Sequence, residues 1–424
     1  MLNRTKAPQI IDAVNFKLSL KPCVKIILKN GVEVYTIDAG AEEVLSIEWV
    51  FAAGNWFEEK NLVAATANFL LKNGTSKKTA FEINEHFEYY GSFLNKTCHS
   101  ETASISLHCL TRHAGELLPV VRELIMDSTM PEEELITYRQ NMKQRLTVNL
   151  KKSDFVASRT IDALVYGEQH PYGRYSRGED FDSVTRDEVL AFYRKYYQKS
   201  KLTMFIAGKL PNNLEQILND NFGDLPINDV TVGDIPASPA EEKKYRISND
   251  PDGVQGSIRI ARPFPNRHHP DFIKVQVLNT ILGGFFGSRL MTNIREDKGY
   301  TYGIHSYLQN NIKQSAWLIS TEAGRDVGEA TVNEVYAEMK LLRDEPVDDD
   351  ELQLVRNYMM GIILGDLDGP FHIISRWKNI ILNNLDETYF YQSIDTIKTI
   401  SAQEIQALAN KYLQPESFYE LIVV

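Results

Sequence analysis

The chain has 424 residues, 43 % of them hydrophobic and 24 % charged, the balance of a globular protein with two or three domains' worth of core. A formal net charge of −11 sets its field against nucleic acid and anionic membrane surfaces, and no apolar run approaches the ~18 residues of a membrane-spanning helix. Three cysteines, Cys23, Cys98 and Cys109, make no disulfide framework and match a reducing compartment.

From the N-terminus, Met1-Leu2-Asn3-Arg4-Thr5-Lys6 leads into polar sequence without a hydrophobic core region, so no secretory signal is expected and the expected placement is cytoplasmic, or periplasmic for a processed chain. Residues 23–53 alternate in the strand manner through Val24, Ile26, Leu28, Val32 and Val34, and Ala103, Ile105 and Leu107 do so again. Cys98-His99 and His108-Cys109 flank the turn of the hairpin this predicts. Adjacent strand residues face opposite sides, so buried thiols beside exposed imidazoles are expected there rather than a metal cluster. Glu132-Glu133-Glu134 and Asp348-Asp349-Asp350-Glu351 stand at helix starts, where the macrodipole favours anions. His268-His269 before Pro270 reads as a solvated loop.

Two segments repeat. Thr185-Arg-Asp-Glu188 and Ser401-Ala-Gln-Glu404 each match a capping box, followed by Val189, Phe192, Tyr193, Tyr196 and by Ile405, Leu408, Ala409, Tyr412 at helical spacing. Glu188, Ala191, Lys195, Tyr196 and Gln198 recur as Glu404, Ala407, Lys411, Tyr412 and Gln414 at one constant offset, and each helix runs into a β-like segment, 201–207 and 418–423. This predicts a duplicated α+β fold: residues 1–224 as one domain, a Pro-bearing linker over 225–244, and residues 245–424 as a second, homologous domain. Each domain is then a mostly antiparallel sheet with helices packed on one face.

Gly283-Gly284-Phe285-Phe286-Gly287-Ser288-Arg289-Leu290, running on through Ile294-Arg295 to Tyr302-Gly303, resembles the Gly-rich turn, helix and Arg/Tyr pair of insulinase/pitrilysin-family zinc peptidases. Asn73-Gly74-Thr75, Tyr166 to Gly173 and the two terminal helix-strand units extend the resemblance over nearly the whole chain. It implies that Arg295 and Tyr302, seven residues apart, act on the scissile carbonyl of a peptide, with Gly283 and Gly284 at the substrate. The family's inverted zinc motif H-x-x-E-H, counted back from Gly74-Thr75, falls on Ala65-Thr66-Ala67-Asn68-Phe69, and its third ligand near Gln144-Arg145. Alanine and phenylalanine offer no lone pair and an amide is no general base, so that segment reads as a core helix and no cofactor is expected in this chain. No two of the chain's histidines are four residues apart, so neither H-x-x-E-H nor H-E-x-x-H occurs anywhere. The resemblance then implies a zinc-less subunit, inactive alone, of a heteromeric bacterial peptidase. A homologous partner carries the zinc, and the Arg/Tyr pair opens onto a concavity that holds the peptide. The other reading is a peptide-binding or structural homologue without catalysis.

Overall fold

The structure is a computed structural model and describes residues 11–230 and 232–424; the Met1–Lys6 stretch, read above for a signal, lies outside them. The first half opens with strands β1 (Val24–Ile27), β2 (Glu33–Asp38) and β3 (Val44–Phe51), then helices α1 (Val63–Leu70) and α2 (Ala80–Tyr89). The hairpin β4 (Phe93–Cys98) and β5 (Ala103–Leu110) follows, then α3 (Ala114–Asp127), α4 (Glu132–Asn149), α5 (Ser153–Tyr166) and α6 (Gly178–Ser183). It closes with α7 (Arg186–Tyr196), β6 (Leu202–Gly208) and α8 (Leu214–Phe222). The second half runs β7 (Lys244–Ile247), β8 (Gln255–Phe264), α9 (Phe272–Asn279), two π-helical turns (Thr280–Gly284 and Met291–Asp297), β9 (Thr301–Leu308) and β10 (Ser315–Gly324). Then come α10 (Gly328–Asp344), α11 (Asp349–Gly365), α12 (Pro370–Leu382), α13 (Glu387–Thr399), α14 (Ala402–Tyr412) and β11 (Tyr419–Val423).

The two sheets have the orders β1-β2-β6-β3-β5-β4 and β7-β11-β8-β10-β9. Leaving out β1, they match strand for strand: β2 with β6, like β7 with β11, is the parallel pair, and the other neighbours are antiparallel. The two capping boxes sit at equivalent places, at the starts of α7 and α14. Thr185 N–H donates to Glu188 at 2.8 Å and Ser401 N–H to Glu404 at 3.0 Å, while each hydroxyl accepts from the backbone N–H of its glutamate.

Strand alternation assigns the sheet faces. In β3, Leu45, Ile47 and Trp49 join Leu117, Val121 and Phe222 of their own half. On the opposite face, Val50, Phe205 and Ala207 pack with Ile373, Ile374 and Trp377 of α12, a helix of the second half. The second sheet does the converse: Ala261, Leu318, Leu421 and Val423 pack with Ala157, Ile161 and Val165 of α5, a helix of the first half. Each half therefore covers one face of its own sheet and lends a single helix to the far face of the other. That is why β6 and β11 are buried at every position and are largely apolar, with only Thr203 and Glu420 breaking the run. Each such Ile, Leu, Val or Phe contributes roughly 1.5–3 kcal/mol when fully buried.

Other segments cross as well. Before β1, Leu20 enters the second-half core, Trp377 Nε1 donates to Lys21 O at 2.9 Å, and Lys398 Nζ donates to Phe16 O at 3.0 Å. The loop between β9 and β10 reaches back to the first half. Gln309 donates to Asp162 at 2.9 Å, Ile312 N–H to Glu101 at 2.9 Å, and Lys313 N–H to the hydroxyl of Tyr172 at 3.0 Å. Tyr172 belongs to the Tyr166–Gly173 loop, which thus buttresses the two halves.

Burial in this interface pushes the Asp162 carboxyl up to about 6, opposed by the hydrogen bond from Gln309 and the charge of Arg259; Tyr307 and Tyr166 are its other titratable neighbours. Between the unfolded value near 4 and about 6 the native state binds the extra proton. This contribution to stability is complete below the unfolded pKa and is lost as pH rises through about 6. Asp162→Asn, which keeps the acceptor for Gln309, should abolish that slope and stabilise the protein at pH 7.5 by on the order of 2 kcal/mol. Denaturant titrations of both proteins at pH 4 and 7.5 measure it, and an unchanged difference between the two pH values would contradict the assignment.

Candidate functional site

The Gly-rich turn is shaped by the edge of the second sheet. Asn279 Nδ2 donates to Ser306 O at 3.0 Å and Ile304 N–H lies 3.4 Å from Met291 Sδ, so two outward backbone groups of β9 are met by side chains of the segment that holds the two π-helical turns. This contact requires Gly283: a Cβ there would stand 2.7 Å from Ser306 Cβ and 3.0 Å from Ser306 N. Gly283 is buried against β9, while Gly284, half-buried, lines a cavity described below.

Beyond the turn, Arg295 lies near the end of the second π-helical turn and Tyr302 is the second residue of β9. Arg295 Nε donates to Tyr302 O at 2.9 Å, its guanidinium lies 4.6 Å from the centre of the Phe286 ring, and Glu296 is a looser partner at 3.8 Å. The pair is thus tied together through the Tyr302 backbone, which leaves the phenol free. Tyr302 is 90 % exposed and its hydroxyl has no hydrogen-bond partner among the described residues. Neither residue lines the cavity of about 600 Å³ between the halves, which is walled by Asn55, Ala65, Cys98, Glu101, Asn310 and Lys378 among others.

At the position of the inverted zinc motif, the helix forms but its burial differs from the expectation of a core helix. Ala64, Ala67 and Asn68 are buried, whereas Ala65 borders the cavity between the halves and Phe69 is 43 % exposed. Phe69 is satisfied sideways instead: its ring packs on Tyr138 of α4, centroids 4.4 Å apart, with Lys96 Nζ 5.3 Å from its centre. Asn68 Nδ2 donates to Thr97 O and to the Tyr197 hydroxyl, both at 3.1 Å. An amide spent on two protein acceptors, a methyl, a phenyl and a neighbouring lysine make no cation site. Gln144 and Arg145 are both exposed on α4. Among the described residues no group of three or more His, Cys, Asp or Glu side chains converges.

The Cys/His expectation needs correction. Cys98 pairs with Ala103 beside the turn, but His108 pairs with Phe93 at the far end of the hairpin, so the two dipeptides do not flank one turn. The thiols are half-buried and buried while both imidazoles are exposed, and burial raises Cys98 to about 12. His268 is exposed in the loop before α9, as expected, with its Nε2 2.7 Å from Asn383 O.

One carboxylate near α1 gave no signal in the sequence. Glu58 is buried, and burial pushes it up to about 7 against the Ala64 N–H and the charge of Arg174. A near-neutral carboxyl is a candidate general base, but both oxygens are engaged, by Ala64 N–H at 2.8 Å and by Arg174 at 2.9 Å. It anchors the start of α1.

Two outcomes follow from this geometry. The purified chain should carry well under one zinc per molecule by elemental analysis; one tightly held zinc, lost on substituting Asn68, would contradict the donor argument. Gly283→Ala should lower stability by about 1–3 kcal/mol through overpacking against β9, measured by denaturant unfolding, whereas an unchanged midpoint would mean the turn relaxes freely.

Comparison with known proteins agrees with this picture. The family profile described as "Peptidase M16 inactive domain" matches residues 183–359. The chain is 22 % identical over 404 residues to the "Uncharacterized zinc protease YmxG" of Bacillus subtilis (strain 168), covering 94 % of this chain and 96 % of that one. It is 24 % identical over 289 residues to the "Non-peptidase homolog YmxG" of Helicobacter pylori, covering 65 % and 64 %. Its fold superposes with a TM-score of 0.86 on the crystal structure of a peptidase M16 inactive domain from Pseudomonas fluorescens, at 22 % identity, with 95 % of this chain and 98 % of that one covered. With the duplicated α+β fold and no zinc motif, the chain is similar to zinc-less homologues of the insulinase (M16) peptidases, whose inactive-domain profile it matches over residues 183–359.

Proposed function

We propose that this chain is the zinc-less subunit of a two-chain peptidase and lends Arg295 and Tyr302 to the zinc site of a homologous partner. The observation that carries this reading is the phenol of Tyr302. It is the most exposed large apolar side chain among the described residues, and it sits on a backbone clamped by Arg295. A free phenol and a guanidinium held beside it are donors for a peptide carbonyl and for the oxyanion formed from it. Among the described residues they meet no nucleophile. The partner would supply the metal-activated water; this chain's residues would hold and polarise the carbonyl.

A second reading, peptide capture without catalysis, is favoured by the edge of the first sheet. His99 N–H donates to Thr102 O at 2.8 Å. Bonded and non-bonded pairs alternate along an antiparallel ladder, so Leu94, Lys96 and Cys98 turn their N–H and C=O groups away from β5. They have no backbone partner among the described residues. An extended peptide can add to such an edge, beside the cavity that Cys98 and His99 line.

Catalysis separates the two readings. Mixed with a homologue carrying H-x-x-E-H, such as the product of a neighbouring gene, the chain should raise peptide hydrolysis that neither protein shows alone. Tyr302→Phe should then lower turnover by on the order of 10²–10³ with association intact, and Arg295→Ala should also raise KM. Full activity of both variants in an intact assembly would leave only the capture reading.

A further inference from the structure

The second half contains a cavity of about 320 Å³ lined by side chains from α9, β9, α11, α12 and α13 and by Arg267, to which Arg295 and Tyr302 do not contribute. Two guanidinium groups converge on it. Arg376 is held by Asp366 at 2.5 Å, with its Nε buried and without a partner. Arg267 has no carboxylate partner among the described residues and its Nε is also buried without a partner; its polar side-chain neighbour is the hydroxyl of Tyr389. The buried hydroxyl of Tyr389, beside Arg267 and under the charge of both arginines, completes the polar wall and leaves the two Nε donors unused. The cavity thus holds two cations against one carboxylate. Burial, aided by the repulsion of Arg376, holds Arg267 below its ordinary value.

An uncompensated buried charge is costly and rare unless something pairs with it. A guanidinium with unused donors is the group best matched to a planar carboxylate, which it grips through two parallel hydrogen bonds. The rest of the lining narrows the choice. Tyr358 and Ile362 form an apolar wall that is partly open to solvent, with the Phe285 ring 4.7 Å from that of Tyr358. A bare inorganic anion would leave this wall wet. The volume lies at the low end of the ~300–1,000 Å³ range of ligand pockets, room for one or two residues and not for a folded partner.

We infer that this cavity is a binding site for a peptide's C-terminal carboxylate borne on an apolar last residue, with Arg267 and Arg376 gripping the carboxylate and Tyr358 and Ile362 covering the side chain. The choice of a peptide as carrier rests on the proposed peptide-handling role. Binding itself needs neither the partner nor catalysis, so the site can be tested on the chain alone and can fail or succeed independently of Tyr302.

Isothermal titration of the isolated chain with acetyl-Ala-Leu as the free acid, with its C-terminal amide and with inorganic phosphate tests the assignment. The free acid should bind, with the amide and phosphate weaker by at least on the order of tenfold, the value of one charge-assisted hydrogen bond. Arg267→Gln should weaken the free acid by a similar factor without lowering Tm, because it removes an unpaired buried charge. Arg267→Lys, which keeps the charge but not the fork, should lose several-fold and serves if the glutamine variant fails to fold. Equal binding of acid and amide, phosphate binding as tight as the free acid, an affinity indifferent to both Arg267 variants, or no binding of the acid at millimolar concentration would each overturn the inference.

Discussion

The structure depends on a reciprocal loan of helices. A mixed sheet has two faces to remove from water, and each half has helices enough to cover one of them. The far face of the first sheet is covered by α12 and that of the second by α5, through Trp377 on one side and Ile161 and Val165 on the other. The sheet orders, the complete burial of β6 and β11, and the polar ties of the β9–β10 loop all follow from that arrangement. Placed this way, the halves hold Asp162, Glu101 and Tyr172 in a common interface and leave a polar cavity between them.

Local chemistry was legible in the sequence. A hydroxyl three residues before a glutamate at the head of an apolar 3.6-residue pattern specifies a helix start by its own hydrogen bonds, so the beginnings of α7 and α14 stood out and their constant offset revealed the duplication. Features that need a distant partner were not legible. Ala157, Ile161 and Val165 mark α5 as having a buried face, but nothing in those residues says that the burying surface belongs to the other half. Phe69 read as core because it is aromatic and helical; Tyr138, far along the chain, stacks on it at the rim instead. The two Cys/His dipeptides look symmetrical about a turn until the register pairs His108 with Phe93.

The site divides along the same line. Arg295 and Tyr302 could be singled out because motif spacing is a sequence property, whereas their exposure, the clamp between them and the edge that Gly283 seals are properties of packing. Arg267, Arg376 and Tyr389 lie more than a hundred residues apart at the extremes, and no periodicity links them. Glu58 is hidden for a similar reason: its raised pKa arises from burial at the start of α1, which outweighs the opposing charge of Arg174, and a reading of its neighbours reveals neither.

The matching strand orders also mean that the two sheets began with matching edges, and these have since parted ways. The outward backbone of β9 is met at Ser306 O and Ile304 N by the side chains of Asn279 and Met291, while that of Leu94, Lys96 and Cys98 in β4 has no backbone partner among the described residues. A chain that presented both rows bare would have two sticky margins and could polymerise end to end through them. Closing one and leaving the other turns a repeat into a polarised object, able to accept an extended strand at one margin without propagating a fibre from the opposite one.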